Sequence, residues 1–315
     1  MIYLAISGFI ISFILLFKCA DFFVEGASGI ARVLNIPKML TGIVLMGLAT
    51  TAPEFIVSVL AAAKHHPEIA LGNAVGSVIC DDGLALGLAA VLAPSVILVN
   101  CRLLKRVGIF LLSIDLFAYF LSRNGRIGQV EGLILVTLLI LYFVLLYKNR
   151  KSGNKDKALS GLGKEHLKKP VFLFTVGLAG VIVSGNIIVE SAIYIARYFS
   201  ISEIIIGSTI IAIGTSLPEV STCIIAVRKG EGEIAVGNII GADVLNILWI
   251  IGISAIVNPI YVELDVINFV FPFMILIVVV MLAAMLFKCR LEKWKGLVLL
   301  GLYAVYLYLT IRLFI

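Results

Sequence analysis

The sequence predicts an all-α polytopic membrane protein whose ten transmembrane helices form two inverted five-helix repeats. Composition supports the membrane assignment: of 315 residues, 61% are hydrophobic and 14% are charged, with a mean hydropathy of +1.14. Soluble domains have roughly 45–50% apolar and about 25% charged residues. An internal repeat and the spacing of the apolar segments predict the two-fold arrangement.

One segment of the chain is repeated 165 residues later. Residues 49–54 read A-T-T-A-P-E, and residues 214–219 read G-T-S-L-P-E. The same offset pairs Asn73 with Asn238. Both copies place a proline and a glutamate in the middle of an apolar stretch, where neither is expected without a function. The repeat therefore predicts two homologous halves that meet at an ion site inside the membrane.

Ten apolar segments are long enough to cross about 30 Å of hydrocarbon. Because each half contains five of them, an odd number, the second half enters the membrane upside down, a pattern typical of inverted-repeat transporters. We assign residues 1–147 to the first half, 148–169 to a linker and 170–315 to the second half. The segments are centred near Ile11, Leu48, Leu84, Leu112, Val136, Val181, Ile213, Leu248, Ile277 and Tyr303.

Lysine and arginine are distributed unevenly between the two sides of the predicted bundle. The loops after the odd-numbered segments, which include the linker, hold 19 of the 25. The positive-inside rule makes that side cytoplasmic and puts both termini outside the cell, with the chain in the plasma membrane. This asymmetry accounts for the net charge of +6 without a nucleic-acid partner. The predicted surroundings are the lipid bilayer, and we expect a monomer.

The cysteines and histidines indicate no resident metal or redox centre. The five cysteines are scattered without a C-x-x-C pair, so the sequence predicts neither a disulfide framework nor a zinc site. The three histidines fall near segment ends, and the sequence contains no H-E-x-x-H. We expect no bound cofactor, and the chain is predicted not to be an enzyme.

Carboxylates lie deep in the predicted membrane segments. Glu54 precedes the turn at Pro67 by about 18 Å of helix and Asp81 follows it by about 22 Å, so both lie near the bilayer centre. The repeat places Glu219 and Asn246 at the matching depth. A carboxylate there costs several kcal/mol unless it is paired, protonated or bound to a cation. Because no lysine or arginine occurs at that depth in these segments, we predict that cations compensate the charge.

The residues beside the glutamates predict an all-oxygen cation site. Pro53 and Pro218 each lack an N–H and displace the carbonyl four residues earlier, which frees backbone oxygens. Carboxylate, hydroxyl and carbonyl oxygens together suit Ca²⁺ or Na⁺ and disfavour soft metals. The neighbouring hydroxyls are those of Thr50, Thr51, Thr215 and Ser216.

Three further aspartates lie in the predicted membrane segments. Two are predicted to be packing or structural residues, and the role of the third has two alternatives. Asp243 precedes Asn246 by nearly one helical turn and either faces the site or packs beside it. Asp82 follows Asp81 directly and points about 100° away on a helix, so we predict a hydrogen-bonded packing residue. Asp115 has no counterpart in the second half and is predicted to be structural.

These motifs resemble the two alpha repeats of the sodium/calcium exchanger family, in the cation/Ca²⁺ antiporter superfamily. They read G-L-A-T-T-A-P-E-F…G-N-A-V-G-S-V-I-C-D and A-I-G-T-S-L-P-E-V…G-N-I-I-G-A-D-V-L-N, and the resemblance, to the prokaryotic type, covers essentially the whole chain. It implies four ion sites around the two repeat glutamates. The ligands it implies are Glu54, Glu219, the hydroxyls of Thr50, Thr51, Thr215, Ser216 and Ser77, the backbone oxygens of Gly47 and Ala212, and the central pair Asp81 and Asn246.

The chain departs from the family pattern at the central pair. Prokaryotic exchangers can carry asparagine in the first repeat and aspartate in the second, whereas Asp81 and Asn246 have the reverse order. Pseudo-symmetry predicts that the summed charge at the centre is unchanged. Ala242 replaces the serine expected opposite Ser77, which removes one hydroxyl.

The resemblance implies secondary active, electrogenic exchange of Na⁺ for Ca²⁺ by alternating access, with the same glutamates binding each ion in turn. The alternatives are a proton/Ca²⁺ exchanger and a potassium-dependent Na⁺/Ca²⁺ exchanger that use the same glutamates. The hydroxyls favour Na⁺, because a proton needs no coordination shell. The inverted halves argue against an ion channel. An intramembrane aspartyl protease built on Asp81 and Asp243 would leave both glutamates unexplained.

Overall fold

The computed structural model describes residues 2–34, 38–63, 65, 67–149, 167–198 and 212–314, and most of these are helical. Most of the predicted linker, and residues 199–211 ahead of Ile213, lie outside the described residues. The helices are α1 (Ile2–Val33), α2 (Lys38–Thr41), α3 (Gly47–Thr50), α4 (Ala52–Ala63), α5 (Pro67–Cys80), α6 (Leu86–Leu92), α7 (Cys101–Ser122), α8 (Gln129–Asn149), α9 (Lys168–Tyr198), α10 (Ala212–Thr215), α11 (Leu217–Arg228), α12 (Gly232–Leu245), α13 (Ile251–Val257), α14 (Phe271–Leu286) and α15 (Lys293–Phe314).

The described part of the chain also contains four π-helical segments, a 3₁₀ helix (Phe287–Cys289) and four short strands. The π-helical segments are π1 (Gly42–Met46), π2 (Asp81–Ala85), π3 (Asn246–Ile250) and π4 (Val266–Val270). The strands are β1 (Ile97–Leu98), β2 (Arg126–Ile127), β3 (Ile260–Tyr261) and β4 (Arg290–Leu291).

Each of the ten predicted segment centres falls in a helix or a π-helical segment. Long runs of Leu, Ile and Val explain this, since a helix satisfies its own backbone hydrogen bonds within a bilayer. Among the described residues, six helical segments are long and apolar enough to cross a membrane. The bent pair of 38–50 and 52–63 would make a seventh. The chain is therefore a helical membrane protein, and the count of ten inverted spans stays a prediction.

The element boundaries repeat with the offset of the sequence motifs. Helices α10 and α11 begin and end 165 residues after α3 and α4. The run α5–π2–α6 (67–92) is matched in the same way by α12–π3–α13 (232–257). Segments π2 and π3 begin at Asp81 and Asn246, the predicted central pair. The secondary structure thus carries the same internal repeat as the sequence.

The runs 67–92 and 232–257 form the centre of the bundle. In the most apolar 18-residue stretch of each run, 78% and 83% of the residues are buried, against 28% in the corresponding stretches of α8 and α15. Glycines bring α12 against the segment α2–π1. A Cβ at Gly42 would meet the carbonyl oxygen of Ile234, and a Cβ at Gly237 would meet that of Met39. This close approach of the two backbones places the end of α3 beside α12.

Helices α1 and α9 form the most extensively packed helix pair of the described residues. A Cβ at Gly26 would meet the backbone of Phe174, so here too glycine allows close contact. Lys229, which follows α11, ties α1 to the bundle. Its ammonium lies 2.9 Å from the Asp21 carboxylate and 3.8 Å from that of Glu25.

Two antiparallel strand pairs connect loops of the two halves. In the first, β1 pairs with β4 and Ile97 lies opposite Leu291. In the second, β2 pairs with β3 and Arg126 lies opposite Tyr261. Each pair takes one strand from the first half of the chain and one from the second, so the halves are joined by backbone hydrogen bonds as well as by helix packing.

The sequence predicts no disulfide framework, but one pair of cysteines is bonded. Cys101 and Cys289 are bonded, with their Cα atoms 5.3 Å apart. The bond lies beside the β1–β4 pair, where the Val99 N–H also donates to the Cys289 carbonyl at 3.1 Å. The two cysteines are 188 residues apart, so their spacing in the sequence carries no signal of the pairing. Cys19, Cys80 and Cys223 are buried and free.

Candidate functional site

Two matching helix breaks shape the centre of the molecule. Thr51 interrupts the helix between α3 and α4 with φ −76° and ψ −2°, and Ser216 separates α10 from α11 with φ −81° and ψ 0°. Each break lies two residues before a proline, Pro53 or Pro218, whose missing N–H leaves the carbonyl four residues earlier without its helical donor. The first break bends the chain by 41°. The predicted loosening of the two helices is therefore present in both halves.

The glutamates that follow these breaks are buried in a cluster of carboxylates. Glu54 and Glu219 are each 1% exposed, and both interact electrostatically with Asp81, which is also 1% exposed. Within the part of the chain that the structure describes, neither oxygen of either glutamate has a hydrogen-bond partner. Among the described residues, no lysine or arginine forms an ion pair with them. Unpaired buried carboxylates are costly, so the cluster needs a compensating charge.

Each glutamate lies beside hydroxyl groups of the other half. Thr215 is next to the Glu54 carboxylate, and Thr50 and Thr51 are next to that of Glu219. In the same way Ser216, from the second half, lies beside Asp81 of the first. The carboxylates and hydroxyls thus converge at the boundary between the halves.

The remaining predicted residues lie near this boundary in different ways. Ser77 is fully buried one helical turn before Asp81, and its hydroxyl has no hydrogen-bond partner in the described ranges. Asn246 is 1% exposed with its carbonyl oxygen unpartnered. The backbone of Gly47 packs against Gly241 of α12. Ala212 begins α10 at the position equivalent to Gly47.

Asp243 belongs to a second group of buried acids. Its strongest electrostatic neighbour is Asp82, followed by Asp81 and Asp115. Asp82, Asp115 and Asp243 are all fully buried, and no described residue donates a hydrogen bond to their carboxylate oxygens. Asp243 thus interacts electrostatically first with Asp82 and not with the two glutamates.

Two asparagines at the site were not singled out as site residues in the sequence. Asn238 accepts a hydrogen bond from Thr50 at 3.2 Å, and Asn73 accepts one from Thr215 at 3.2 Å. Both bonds cross between the halves, and the asparagines are related by the 165-residue offset. Their repeated G-N dipeptide was the available signal, but a dipeptide does not show which residue its side chain contacts.

The arrangement is suited to a hard cation held by mixed oxygen ligands. Within the described residues, no three acidic, histidine or cysteine side chains converge closely enough to hold a metal ion by themselves. A cation bound between the glutamates would therefore also use hydroxyl and backbone oxygens, which are the ligands that Ca²⁺ accepts at 2.3–2.6 Å.

Known proteins with similar sequences and structures identify the family. The model of the sodium/calcium exchanger protein family matches residues 4–148 and 169–312. The inner membrane protein YrbG of Escherichia coli is 35% identical over 81% of each chain. The sodium/calcium exchanger MaX1 of Methanosarcina acetivorans is 29% identical over 95% of this chain and 96% of its own.

A solved structure agrees with this assignment. The sodium-calcium exchanger NCX_Mj, soaked with 2.5 mM Na⁺ and 0.1 mM Ca²⁺, matches with a TM-score of 0.86 at 29% identity, over 98% of this chain and 99% of that one. The resemblance found in the motifs is confirmed, and the chain belongs to the sodium/calcium exchanger protein family.

Proposed function

We propose that this protein exchanges Na⁺ for Ca²⁺ across the membrane by alternating access, with Glu54 and Glu219 binding each ion in turn. The observation that carries the proposal is the pair of buried glutamates from opposite halves. Each is beside hydroxyls of the other half, and neither has a hydrogen-bond partner among the described residues. Its relative MaX1 is named a sodium/calcium exchanger. The sodium/calcium exchanger family consists of transporters, so the family match does not favour an enzymatic activity.

Coupling follows from the shared carboxylates. Ca²⁺ and a set of Na⁺ ions compete for the same oxygens, so either can neutralise the cluster but both cannot bind together. An empty cluster is too costly to enclose within the membrane. If several Na⁺ exchange for one Ca²⁺, net charge moves, and the membrane potential contributes about 2.3 kcal/mol per charge per 100 mV. The exchange is then electrogenic.

The proposed architecture is ten spans in two inverted halves, with α1 and α9 sliding as a unit against the other helices. The close packing of α1 on α9 supports their movement together. The protein would lie in the plasma membrane with both termini outside, as the distribution of lysine and arginine favours.

Uptake of ⁴⁵Ca²⁺ into proteoliposomes loaded with Na⁺, K⁺ or acid tests the function. We expect uptake that requires internal Na⁺ and is lost in Glu54→Gln and in Glu219→Gln. Glu68→Gln, an exposed glutamate in the first turn of α5, is the matched control and is expected to retain uptake. Uptake driven by the proton gradient and indifferent to Na⁺ would contradict the proposal and favour the proton-coupled alternative. A requirement for K⁺ together with Na⁺ would identify the potassium-dependent type.

A further inference from the structure

We propose that Asn73 and Asn238 are positioning residues that hold the proton of a threonine hydroxyl of the opposite half away from the glutamates. The threonine oxygen then presents its lone pairs to a bound cation, and the empty site stays uncompensated. This inference rests on the proposed ion exchange at the same site.

Two reciprocal hydrogen bonds carry the inference. The Thr50 hydroxyl donates toward the Asn238 side-chain carbonyl at 3.2 Å, and the Thr215 hydroxyl donates toward that of Asn73 at 3.2 Å. The Thr50 hydroxyl has a second acceptor, the Met46 carbonyl at 3.0 Å. A hydroxyl has one proton, so a threonine that donates to these acceptors cannot also donate to a carboxylate.

The orientation of the Asn238 amide is fixed by its surroundings. Its NH₂ group donates to the Thr222 hydroxyl oxygen at 3.2 Å. The Thr222 hydroxyl in turn donates to the Pro218 carbonyl at 2.7 Å, so its oxygen acts as the acceptor for the amide. The carbonyl end of Asn238 is left to face Thr50.

The Asn73 amide is fixed in an equivalent way. Its NH₂ group donates to the Ser58 hydroxyl oxygen at 3.0 Å and to the backbone carbonyl of Glu54 at 3.4 Å. Asn73 and Asn238 are 6% and 0% exposed, so water does not compete for these bonds. Both amides therefore direct their carbonyl oxygens at the opposite threonine.

The consequence concerns coupling. Without the Asn238 carbonyl, the Thr50 proton keeps only the Met46 carbonyl as an acceptor that competes with the neighbouring glutamate. A carboxylate that accepts a share of this bond is partly compensated without any ion. Enclosing the site without a bound ion then costs less free energy. We expect weaker cation binding and, in addition, Ca²⁺ movement that no longer requires a counter-ion.

A double-mutant cycle on purified protein tests the pairing. Asn238→Leu and Thr50→Val are expected to raise the dissociation constant for Ca²⁺ by about tenfold each, as loss of one hydrogen bond to a charged site does. The double variant should be no weaker than the stronger single variant, because both changes remove the same interaction. Asn258→Leu, which removes an asparagine bonded to the Ala62 carbonyl outside the site, is the matched control and should bind Ca²⁺ like the wild type.

Flux and stability measurements separate positioning from a structural role. Ca²⁺ efflux from proteoliposomes without external Na⁺ or Ca²⁺ should rise several-fold in Asn238→Leu and in Asn73→Leu, and should return toward the wild-type level in Asn238→Asp, which keeps an acceptor for Thr50. Additive effects on binding, or an efflux that stays at the wild-type level while the melting temperature falls, would overturn the inference. If the leucine variants do not fold, Asn238→Ala replaces Asn238→Leu in the cycle. Asn73→Ala with Thr215→Val provides an equivalent cycle for the second pair. A wild type that does not bind Ca²⁺ would instead refute the proposed function.

Discussion

Glu54 and Glu219 each lie in the first turn of a helix that begins just after a break. The free N–H groups of a first turn stabilise an anion by about 0.3–1 kcal/mol at exposed sites and up to about 2 kcal/mol in partly buried ones. A carboxylate at the bilayer centre costs several kcal/mol. The helix ends therefore reduce the cost without removing it, and a bound cation is left as the main source of compensation.

At the central pair, exchanging the two residues should preserve function better than removing the charge. We predict that Asp81→Asn lowers Na⁺-dependent Ca²⁺ uptake about tenfold, equivalent to about 1.4 kcal/mol, because Asp81 interacts with both glutamates and with Ser216. Asp81→Asn combined with Asn246→Asp should restore part of that loss, since π2 and π3 begin at these equivalent positions. ⁴⁵Ca²⁺ flux measures both variants. A double variant less active than Asp81→Asn would show that the halves are not interchangeable here.

Among the contacts between helices, that of α12 with the segment α2–π1 brings two backbones directly together. A Cβ at Gly237 would collide with the Met39 carbonyl, which is backbone and cannot rotate away. We predict that Gly237→Ala destabilises the protein by about 1–3 kcal/mol, as overpacking in a core does. Thermal unfolding in detergent measures the change.

Gly301→Ala is the control for that substitution. Gly301 is exposed in the middle of α15, and among the described residues nothing lies within 4 Å of a Cβ placed there. Alanine also has the better helix propensity, so this variant should be neutral or slightly stabilising. If the two variants were equally stable, the result would contradict the close backbone contact between α12 and the segment α2–π1.

Lys229 holds α1 to the bundle through Asp21 and Glu25. If α1 slides during transport, this ion pair must break in each cycle. Partly exposed ion pairs contribute roughly 0.2–1 kcal/mol, so we predict that Lys229→Gln raises the maximal exchange rate by about two- to fivefold and leaves the apparent Ca²⁺ affinity unchanged. Initial rates over a range of Ca²⁺ concentrations separate the two parameters. Lys105→Gln, an exposed lysine of α7, serves as control; a change in affinity rather than rate would place Lys229 in a different role.

The sequence predicted the elements better than their contacts. Polar groups in an apolar segment are costly enough to be visible in one sequence, which is why the positions of Glu54, Asp81 and Glu219 and the breaks before Pro53 and Pro218 could be predicted. The partnership of Asn73 with Thr215 depends on packing between segments 142 residues apart, and no local pattern encodes it. The start of π2 at Asp81 depends on the backbone rather than on a recognisable motif.

At the scale of the whole molecule, the Cys101–Cys289 bond links the two halves covalently. We predict that the denatured protein exposes three reactive thiols, those of Cys19, Cys80 and Cys223, and five after reduction. Titration with a thiol reagent measures this. Five thiols without reduction would contradict the bond.

The same titration on cells quenched with a thiol-blocking reagent bears on orientation. Both bonded cysteines adjoin loops that the positive-inside rule assigns to the cytoplasm, a compartment in which disulfides are rare. A pair that is reduced in cells and oxidised after purification agrees with the proposed orientation. A pair that is already oxidised in cells would favour the opposite one.

The strand pairs between the halves have a consequence for biosynthesis. When the ribosome has made β1, its partner β4 has not yet been synthesised. Leu291, which pairs with Ile97, is added 194 residues later. At about 5–20 residues per second, that interval lasts roughly 10–40 s. During this time the first half is in the membrane without β4, the partner of β1, and without Thr215, the hydrogen-bond donor to Asn73. The newly made first half is thus an unfinished intermediate, exposed to membrane chaperones and proteases until the second half arrives.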